Sequence, residues 1–353
     1  MRGTSGYVVA EVDQDRFEIP NTESERVPPT DGLDVHTTLD GAAQRIATEE
    51  AQKIADKYHP KGISIVIVEP TTGNVLTLVS IPTFDPNSGA RAHIDLEALA
   101  DRCSARLYEP SSTLKSLTIA AALDEGIITQ SDRFYCSGTI MVGNQAIHCA
   151  MHGVAGGHGV LDARGILQHS CNVGAAQIGM KMGAARLFEA MRKFGLLDKV
   201  EVGLPGEQRG RLSFDRREHI YTDAKVARVA FGHSIATTPL HMAMAYASLV
   251  NGGLLMRPRL IASVSDRSGR IRRSWSPEVV RRVISESTST IMCDMLRNVV
   301  TMGTGKAAAV PGYLVGGKTS TGNKYSPGRY MGSFIGFLPA STKATPRAMI
   351  LEA

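Results

Sequence analysis

Aromatic residues are scarce in this chain, 5 per cent of 353 positions with a single tryptophan. With arginines scattered rather than clustered, that scarcity leaves no stacking platform for nucleic acid. No apolar run approaches the roughly 18 residues that a membrane-spanning helix needs, so the chain reads as soluble. The opening "RGTSGYVVAEVDQDR" lacks the basic stretch leading into an apolar segment that marks an export signal. Cysteine is sparse and odd in number: Cys103, Cys136, Cys149, Cys171 and Cys293 outline no dense disulfide framework and leave the redox compartment open. A dominant sign of charge is also lacking, since 39 basic against 34 acidic residues leave a net +5, a mildly basic surface that selects no partner. What the chain does have is a core, because 43 per cent apolar composition supports one large domain or two.

Residues 1–37 alternate apolar and polar positions in "YVVAEV" and "LDVHTT" around "NTESERVPPTDG", which predicts short strands and turns in a small N-terminal segment. A second unit is expected over 38–353. It opens with a predicted helix, "GAAQRIATEEAQKIADKY", with Ile46 and Ile54 on its apolar side and Pro60 beyond its end. "GISIVIVEP" and "NVLTLVSIP" flank "TTGN" and predict a hairpin. A helix is expected from near Ser112, then a glycine- and histidine-rich loop over about 134–159, then helical stretches around 162–182, 184–194, 238–250 and 286–300. Leu187, Met191 and Phe194 mark one apolar stripe, and Leu240, Met244 and Ala247 another. The final segments "GYLVGGKTSTG", "YMGSFIGFLP" and "RAMILEA" return to strand chemistry. Two early and three late strands predict an antiparallel sheet of about five strands packed against the helical middle, an α+β architecture assembled from both ends of the unit.

Three short patterns fall at element ends. "YEPSSTLK" puts Ser112 and Lys115 three apart, on one face of a first helical turn. A serine there could simply cap the helix, whereas a lysine is poorly matched to the positive end of the helix field. "HSCN" puts Ser170 and Asn172 before an apolar helical run, a pattern that also occurs freely in loops. "GGKTSTG" sets Lys318, Thr319, Ser320 and Thr321 on a predicted strand, where a Ser/Thr-rich surface strand would look the same.

Taken in this order, the three patterns resemble the Ser-x-x-Lys, Ser-x-Asn and Lys-Thr-Gly signatures of penicillin-binding proteins and serine β-lactamases. The likeness is nearest to the transpeptidase domain of class B penicillin-binding proteins of the division or elongation type. Supporting strings are "TTLD" at 37–40, "IVEPTTGNVLTLVSIPTFDP" at 67–86, "GLPGE" at 203–207 and "FGHSIATTPLHMAMAYASLVNGG" at 231–253. The resemblance implies the penicillin-binding/serine β-lactamase-like fold and a serine D,D-transpeptidase that cross-links peptidoglycan stem peptides through an acyl-enzyme on Ser112. β-Lactams would acylate the same serine. It implies membrane proteins of wall synthesis as partners, and a parent protein at the extracytoplasmic face of the bacterial cytoplasmic membrane. A catalytically weakened penicillin-binding sensor or scaffold, and a serine β-lactamase, stand as competing readings; no glutamate base for deacylation stands out.

A serine hydroxyl is a weak nucleophile until a base is near. The resemblance gives that task to Lys115, which must be neutral and so needs burial or a neighbouring cation to depress its pKa; Lys318 is expected to supply the cation. Ser170 is expected to relay a proton to the leaving amine, and Asn172 to orient Lys115 and bond a substrate amide. Thr319 and Thr321 are expected at the substrate's carboxylate end and Ser320 beside the nucleophile or donor pocket, which its added Cβ and hydroxyl would crowd, with the backbone N–H groups of Ser112 and Thr321 meeting the oxyanion. No cofactor is required for these steps.

Departures from the family pattern are expected to matter. Ser320 stands where the signature has glycine, and strand alternation turns it to the same side as Lys318. Ser111 replaces the glycine often found before the nucleophile. "RAMILEA" ends on a strand where relatives continue into a helix, so the 38–353 domain is expected to be truncated at its C-terminus and 1–37 to be the remnant of an N-terminal pedestal. In "CSGTIMVGNQAIHCAMHGVAGGHG", Cys136, Cys149, His152 and His158 are ligands of the types that structural zinc takes, with His148 another candidate, although their spacing matches no standard finger. Reduced cysteines or one disulfide is the competing reading. Cys171, between Ser170 and Asn172, has no adjacent histidine partner to make it a nucleophile.

Overall fold

The computed structural model describes residues 2–85, 87, 96–149, 156–212, 222–323, 330–340 and 347–352. Its contacts divide the chain into one unit of residues 1–38 and 260–276 and another of residues 39–259 and 277–353. In the first unit, Tyr7–Val9 pairs antiparallel with Glu25–Val27, while Asp34–Thr37 pairs with Ile261–Ser265, which pairs in turn with Ile271–Ser274. The short strands expected in 1–37 are therefore present, and one of them pairs with a strand more than two hundred positions away in the sequence.

The second unit begins with the helix Gly41–Tyr58, and its start has a local cause: the Asp40 side chain accepts the Ala43 N–H at 2.9 Å. Its stop is equally local, with His59 in the left-handed region and Pro60 following. Ala47, Ala51 and Ile54 form the face that packs with Ile63, Ile65 and Val79 of the hairpin strands Ile63–Val68 and Val75–Ile81. Ile46, expected on the apolar side, is half exposed, because the stripe that meets the sheet passes through the small Ala47 and Ala51 and lets the helix approach closely.

Those two strands join the late strands Gly316–Asn323, Tyr330–Leu338 and Arg347–Glu352 in one antiparallel sheet. From edge to edge the order is 316–323, 330–338, 347–352, 63–68, 75–81. Strand 347–352 thus sits in the centre, Ile350 opposite Ile335 on one side and Val66 on the other, and joins the two ends of the unit. The strand bearing Lys318 lies at the sheet's edge, where one row of backbone groups is left for other partners.

Two helices of the middle are buried along most or all of their length. Every residue of Pro239–Val250 is buried, with Thr238 capping the helix and Pro239 at its first turn. An apolar helix without a polar face belongs inside a core. Leu114–Asp124 is similar, its buried residues running without interruption from Leu114 to Ala122. Leu187, Met191, Phe194, Leu240, Met244 and Ala247 are all buried, as their stripes predict. The helix expected over 162–182 is divided into Ala163–Gln168 and Asn172–Lys193, and Gly183, at the predicted break between 182 and 184, leaves helical geometry.

The stretch 134–159 differs from the predicted loop. Phe134–Cys136 pairs with Gly159–Leu161, and Thr139–Val142 forms a hairpin with Gln145–His148. These strands are only three or four residues long, too short to show a period; one pair is a local hairpin and the other joins the two ends of the stretch. Among the described residues no helix is long and apolar enough to cross a membrane.

Candidate active site

Ser112 lies in a single 3₁₀ turn, Ser111–Thr113, that runs directly into Leu114–Asp124. No side chain caps this start, so the capping role open to Ser112 in the sequence is not taken up. The turn is fixed from behind by backbone. Ser111 adopts φ +47°, and its N–H donates to Gly232 O at 3.0 Å. Gly232 must be glycine: at φ +90° an added Cβ would lie 1.9 Å from Ser111 O. Tyr246, from the buried helix Pro239–Val250, donates its hydroxyl to Thr113 O at 2.7 Å. Glu109 is engaged away from the serine, accepting the Ser234 N–H at 3.0 Å and meeting His233 Nδ1 at 3.2 Å.

One turn into the helix, Lys115 reaches back to Ser112. Its Nζ lies 2.9 Å from Ser112 Oγ, 2.6 Å from Asn172 Oδ1, 2.6 Å from Ser170 O and 3.2 Å from Ser170 Oγ. A neutral amine has two N–H donors and one lone pair. The two short contacts to carbonyl oxygens take both donors, and the lone pair is left for the Ser112 hydroxyl. Lys115 is fully buried, and that desolvation lowers its pKa from 10.5 to about 7, against the opposing pull of the Cys149 and Cys171 sulfurs.

Ser170 and Asn172 come from the break between the helices Ala163–Gln168 and Asn172–Lys193, with Ser170 held at φ +54°. Asn172 donates its Nδ2 to His148 O at 3.0 Å, which fixes Oδ1 toward the lysine. On the opposite wall the edge strand brings Lys318 Nζ to 3.0 Å from Ser170 Oγ and 2.9 Å from Thr319 O. Ser170 Oγ therefore lies between the two amines. Lys318, also buried, is pushed well below the ordinary lysine value by burial first and the charge of Lys115 second. The cation expected to depress Lys115 is thus not the agent; enclosure is.

Ser112, Lys115, Ser170, Asn172 and Lys318 form one hydrogen-bonded constellation. Ser320, on the Lys318 side of the strand, accepts the Ser112 N–H at 3.0 Å and donates to Pro110 O at 3.2 Å. Thr319 shares a 2.8 Å hydroxyl contact with Thr304, and Thr321 is exposed. Thr304, after the helix Glu286–Met302, is a site neighbour that no motif in the sequence marks.

The second cluster adjoins the first. Cys136, Cys149, His158 and Cys171 place their ligand atoms within 4.8 Å of one another. Cys149 Sγ is 3.6 Å from Cys171 Sγ and 3.3 Å from His158 Nδ1, which is 3.6 Å from Cys136 Sγ. Tetrahedral zinc with Zn–S bonds of about 2.3 Å separates its sulfurs by about 3.8 Å, so three thiolates and an imidazole at these distances fit a closed structural site. No disulfide joins the five cysteines. The Cys149 sulfur is held low by the thiol of Cys171 and the backbone N–H groups of Asn172 and Val173, while that same bond, and then burial, push Cys171 up. His152, expected as a ligand, lies outside the described residues. Cys171 stands in the fourth place; its signal in the sequence was adjacency to Ser170 and Asn172, which drew attention to nucleophilic chemistry rather than ligation.

The pattern of the penicillin binding protein transpeptidase domain matches residues 63–353. Stage V sporulation protein D of Bacillus subtilis is 34% identical over 96% of this chain and 53% of its own length. The probable peptidoglycan D,D-transpeptidase PenA of Neisseria meningitidis is 30% identical over 99% of this chain and 55% of its own. The chain spans about half the length of these curated relatives. A crystal structure of penicillin binding protein 3 from Mycobacterium tuberculosis, complexed with aztreonam, superposes with a TM-score of 0.82 at 27% identity, over 98% of this chain and 81% of that one. Because the match runs from the first strand of the main sheet to its last, and relatives agree with it in both sequence and fold, the chain belongs to the transpeptidase-domain family of penicillin-binding proteins, in its class B branch.

Proposed function

We propose that this chain is a serine D,D-transpeptidase module that cross-links peptidoglycan stem peptides and is acylated by β-lactams. The observation that carries the reading is the buried Lys115 amine, 2.9 Å from Ser112 Oγ with both of its N–H donors engaged by carbonyl oxygens. Ser112 Oγ attacks the carbonyl of the penultimate D-alanine while its proton passes to Lys115. The developing oxyanion meets the N–H groups of Ser112 and Thr321. Ser170, between the amines, hands a proton to the departing D-alanine nitrogen. An amine of a neighbouring stem then attacks the Ser112 ester, forms the new amide and releases the serine. Lys318, Thr319 and Thr321 receive the donor's terminal carboxylate, whose charge restores the ammonium form of Lys318.

β-Lactams enter the same sequence and stop at the ester. Penicillin binding protein 3 of M. tuberculosis, similar in fold, is a protein complexed with aztreonam. Hydrolysis through a glutamate or aspartate base finds no support, since among the described residues the hydrogen bonds of Ser112, Lys115 and Ser170 include no carboxylate. The metal cluster holds no reacting group in this scheme; zinc there would clamp the loops that carry Cys149 and Cys171. We place the parent protein at the extracytoplasmic face of the cytoplasmic membrane, with membrane proteins of wall synthesis as partners. Intact-mass measurement after exposure to a penicillin tests the reading: one adduct per chain, absent in Ser112→Ala, is expected. Transfer of a D-Ala-D-Ala donor stem to an amine acceptor must accompany it, and rapid return to free protein with hydrolysed drug would favour a β-lactamase instead.

A further inference from the structure

We propose that the Ser320 hydroxyl is a built-in occupant of the oxyanion site, which an incoming carbonyl must displace before Ser112 can be acylated; the inference rests on the acyl-transfer reading of this site. Its basis is a pair of hydrogen bonds. The Ser112 N–H donates to Ser320 Oγ at 3.0 Å, and Ser320 donates onward to Pro110 O at 3.2 Å. Both partners belong to the segment that carries the nucleophile, and Ser320 is buried. The hydroxyl thus uses its donor and one acceptor on that segment, with little freedom to leave.

The geometry of the edge strand gives position 320 this reach. Residues 318, 320 and 322 point to one side. Gly322 passes so near the turn that an added Cβ would lie 2.7 Å from Ser111 Oγ. At 318 the long side chain travels past the turn to Ser170. At 320 a hydroxymethyl group is long enough to reach the Ser112 N–H, and the glycine of the family signature would leave that N–H open. Since oxyanion stabilisation depends on donors aimed where charge develops, a donor already engaged must first exchange partners. In that exchange the Ser112 N–H passes from Ser320 Oγ to the carbonyl oxygen, while Ser320 keeps its bond to Pro110 O. Ser320 is accordingly a positioning residue that sets the acylation rate.

The test uses Ser320→Ala, which removes the hydroxyl and keeps the Cβ, beside Ser320→Gly, which restores the family residue. Removing one net hydrogen bond from the path to acylation is expected to raise the second-order rate constant with a fluorescent penicillin about fivefold in Ser320→Ala, and at least as much in Ser320→Gly. The Ser112 amide of the unliganded protein is read by NMR hydrogen exchange, and it is expected to exchange about fivefold faster in both variants, with the pH midpoint of acylation unmoved. A folded Ser320→Ala that acylates no faster than the parent overturns the inference. So does a gain confined to Ser320→Gly, which would assign the effect to bulk. If neither parent nor variants form an adduct, the acyl-transfer reading fails, and the amide exchange still decides the contact: unchanged exchange overturns it, faster exchange sustains it.

Discussion

Acylation of Ser112 should rise with pH through a midpoint near 7, because the group that takes its proton must arrive unprotonated. Burial, against the pull of the Cys149 and Cys171 sulfurs, brings the Lys115 amine from 10.5 to about 7. A shift of that size corresponds to about 5 kcal/mol of preference for the neutral form, at ~1.4 kcal/mol per unit. Between pH 6 and pH 8 the neutral fraction then grows from about one-tenth to about nine-tenths, and the rate constant should grow about tenfold. Stopped-flow acylation by a fluorescent penicillin across pH 5.5–9 measures this, with the drug's own stability checked at each pH. The same shift has a consequence for folding whose sign is fixed by linkage. Between about pH 7 and 10.5 the unfolded chain carries a proton on Lys115 that the folded chain does not, so this residue's contribution to stability improves as pH rises through that window and is at its least favourable below pH 7. An acylation rate that is flat from pH 6 to 8, or that falls, would refute Lys115 as the base.

Three further outcomes follow from particular contacts. Cys136→Ala should abolish binding of about one zinc per chain, measured by elemental analysis, and lower the thermal midpoint by more than about 5 °C, while metal binding unchanged in the variant would remove Cys136 from the ligand set. Gly232→Ala should cost about 2–4 kcal/mol in denaturant unfolding and slow acylation, because its Cβ would meet Ser111 O at 1.9 Å behind the nucleophile. Ser111→Gly should stabilise the protein by about 0.5–1 kcal/mol in the same unfolding assay, since a residue at φ +47° is relieved of its Cβ penalty.

Where structure has a local cause, the sequence displayed it. The helix Gly41–Tyr58 starts at an aspartate that caps it and stops before a proline, and both marks are visible in the letters alone. The five-stranded sheet was legible because its strands are apolar runs bounded by turn residues at the two ends of the unit. Alternation along "GGKTSTG" placed Lys318 and Ser320 on one side of a strand. It could not say that the hydroxyl of 320 would meet the backbone of 112, because that contact joins residues 208 positions apart and depends on how closely an edge strand passes a helix start.

Other pieces stayed hidden too. Four strands of three or four residues each, in 134–161, are too short to show a period of their own and pair only with one another, two of them in a tight hairpin across Gly143 and Asn144. Cys171 caps the helix Asn172–Lys193 by accepting the Gly174 N–H at 3.2 Å, so its sulfur points where docking of that helix sends it, toward Cys149. Cys149 in turn accepts the N–H of Asn172, whose side chain holds Lys115. The requirement for a lysine of depressed pKa is visible in the Ser-x-x-Lys spacing, which leaves burial and a neighbouring charge both open as its cause; the structure selects burial. A charge can be picked out of a sequence, whereas enclosure is a property of the whole packed unit. The neutral amine is accordingly a consequence of the same burial that encloses the helix Leu114–Asp124 from Leu114 to Ala122.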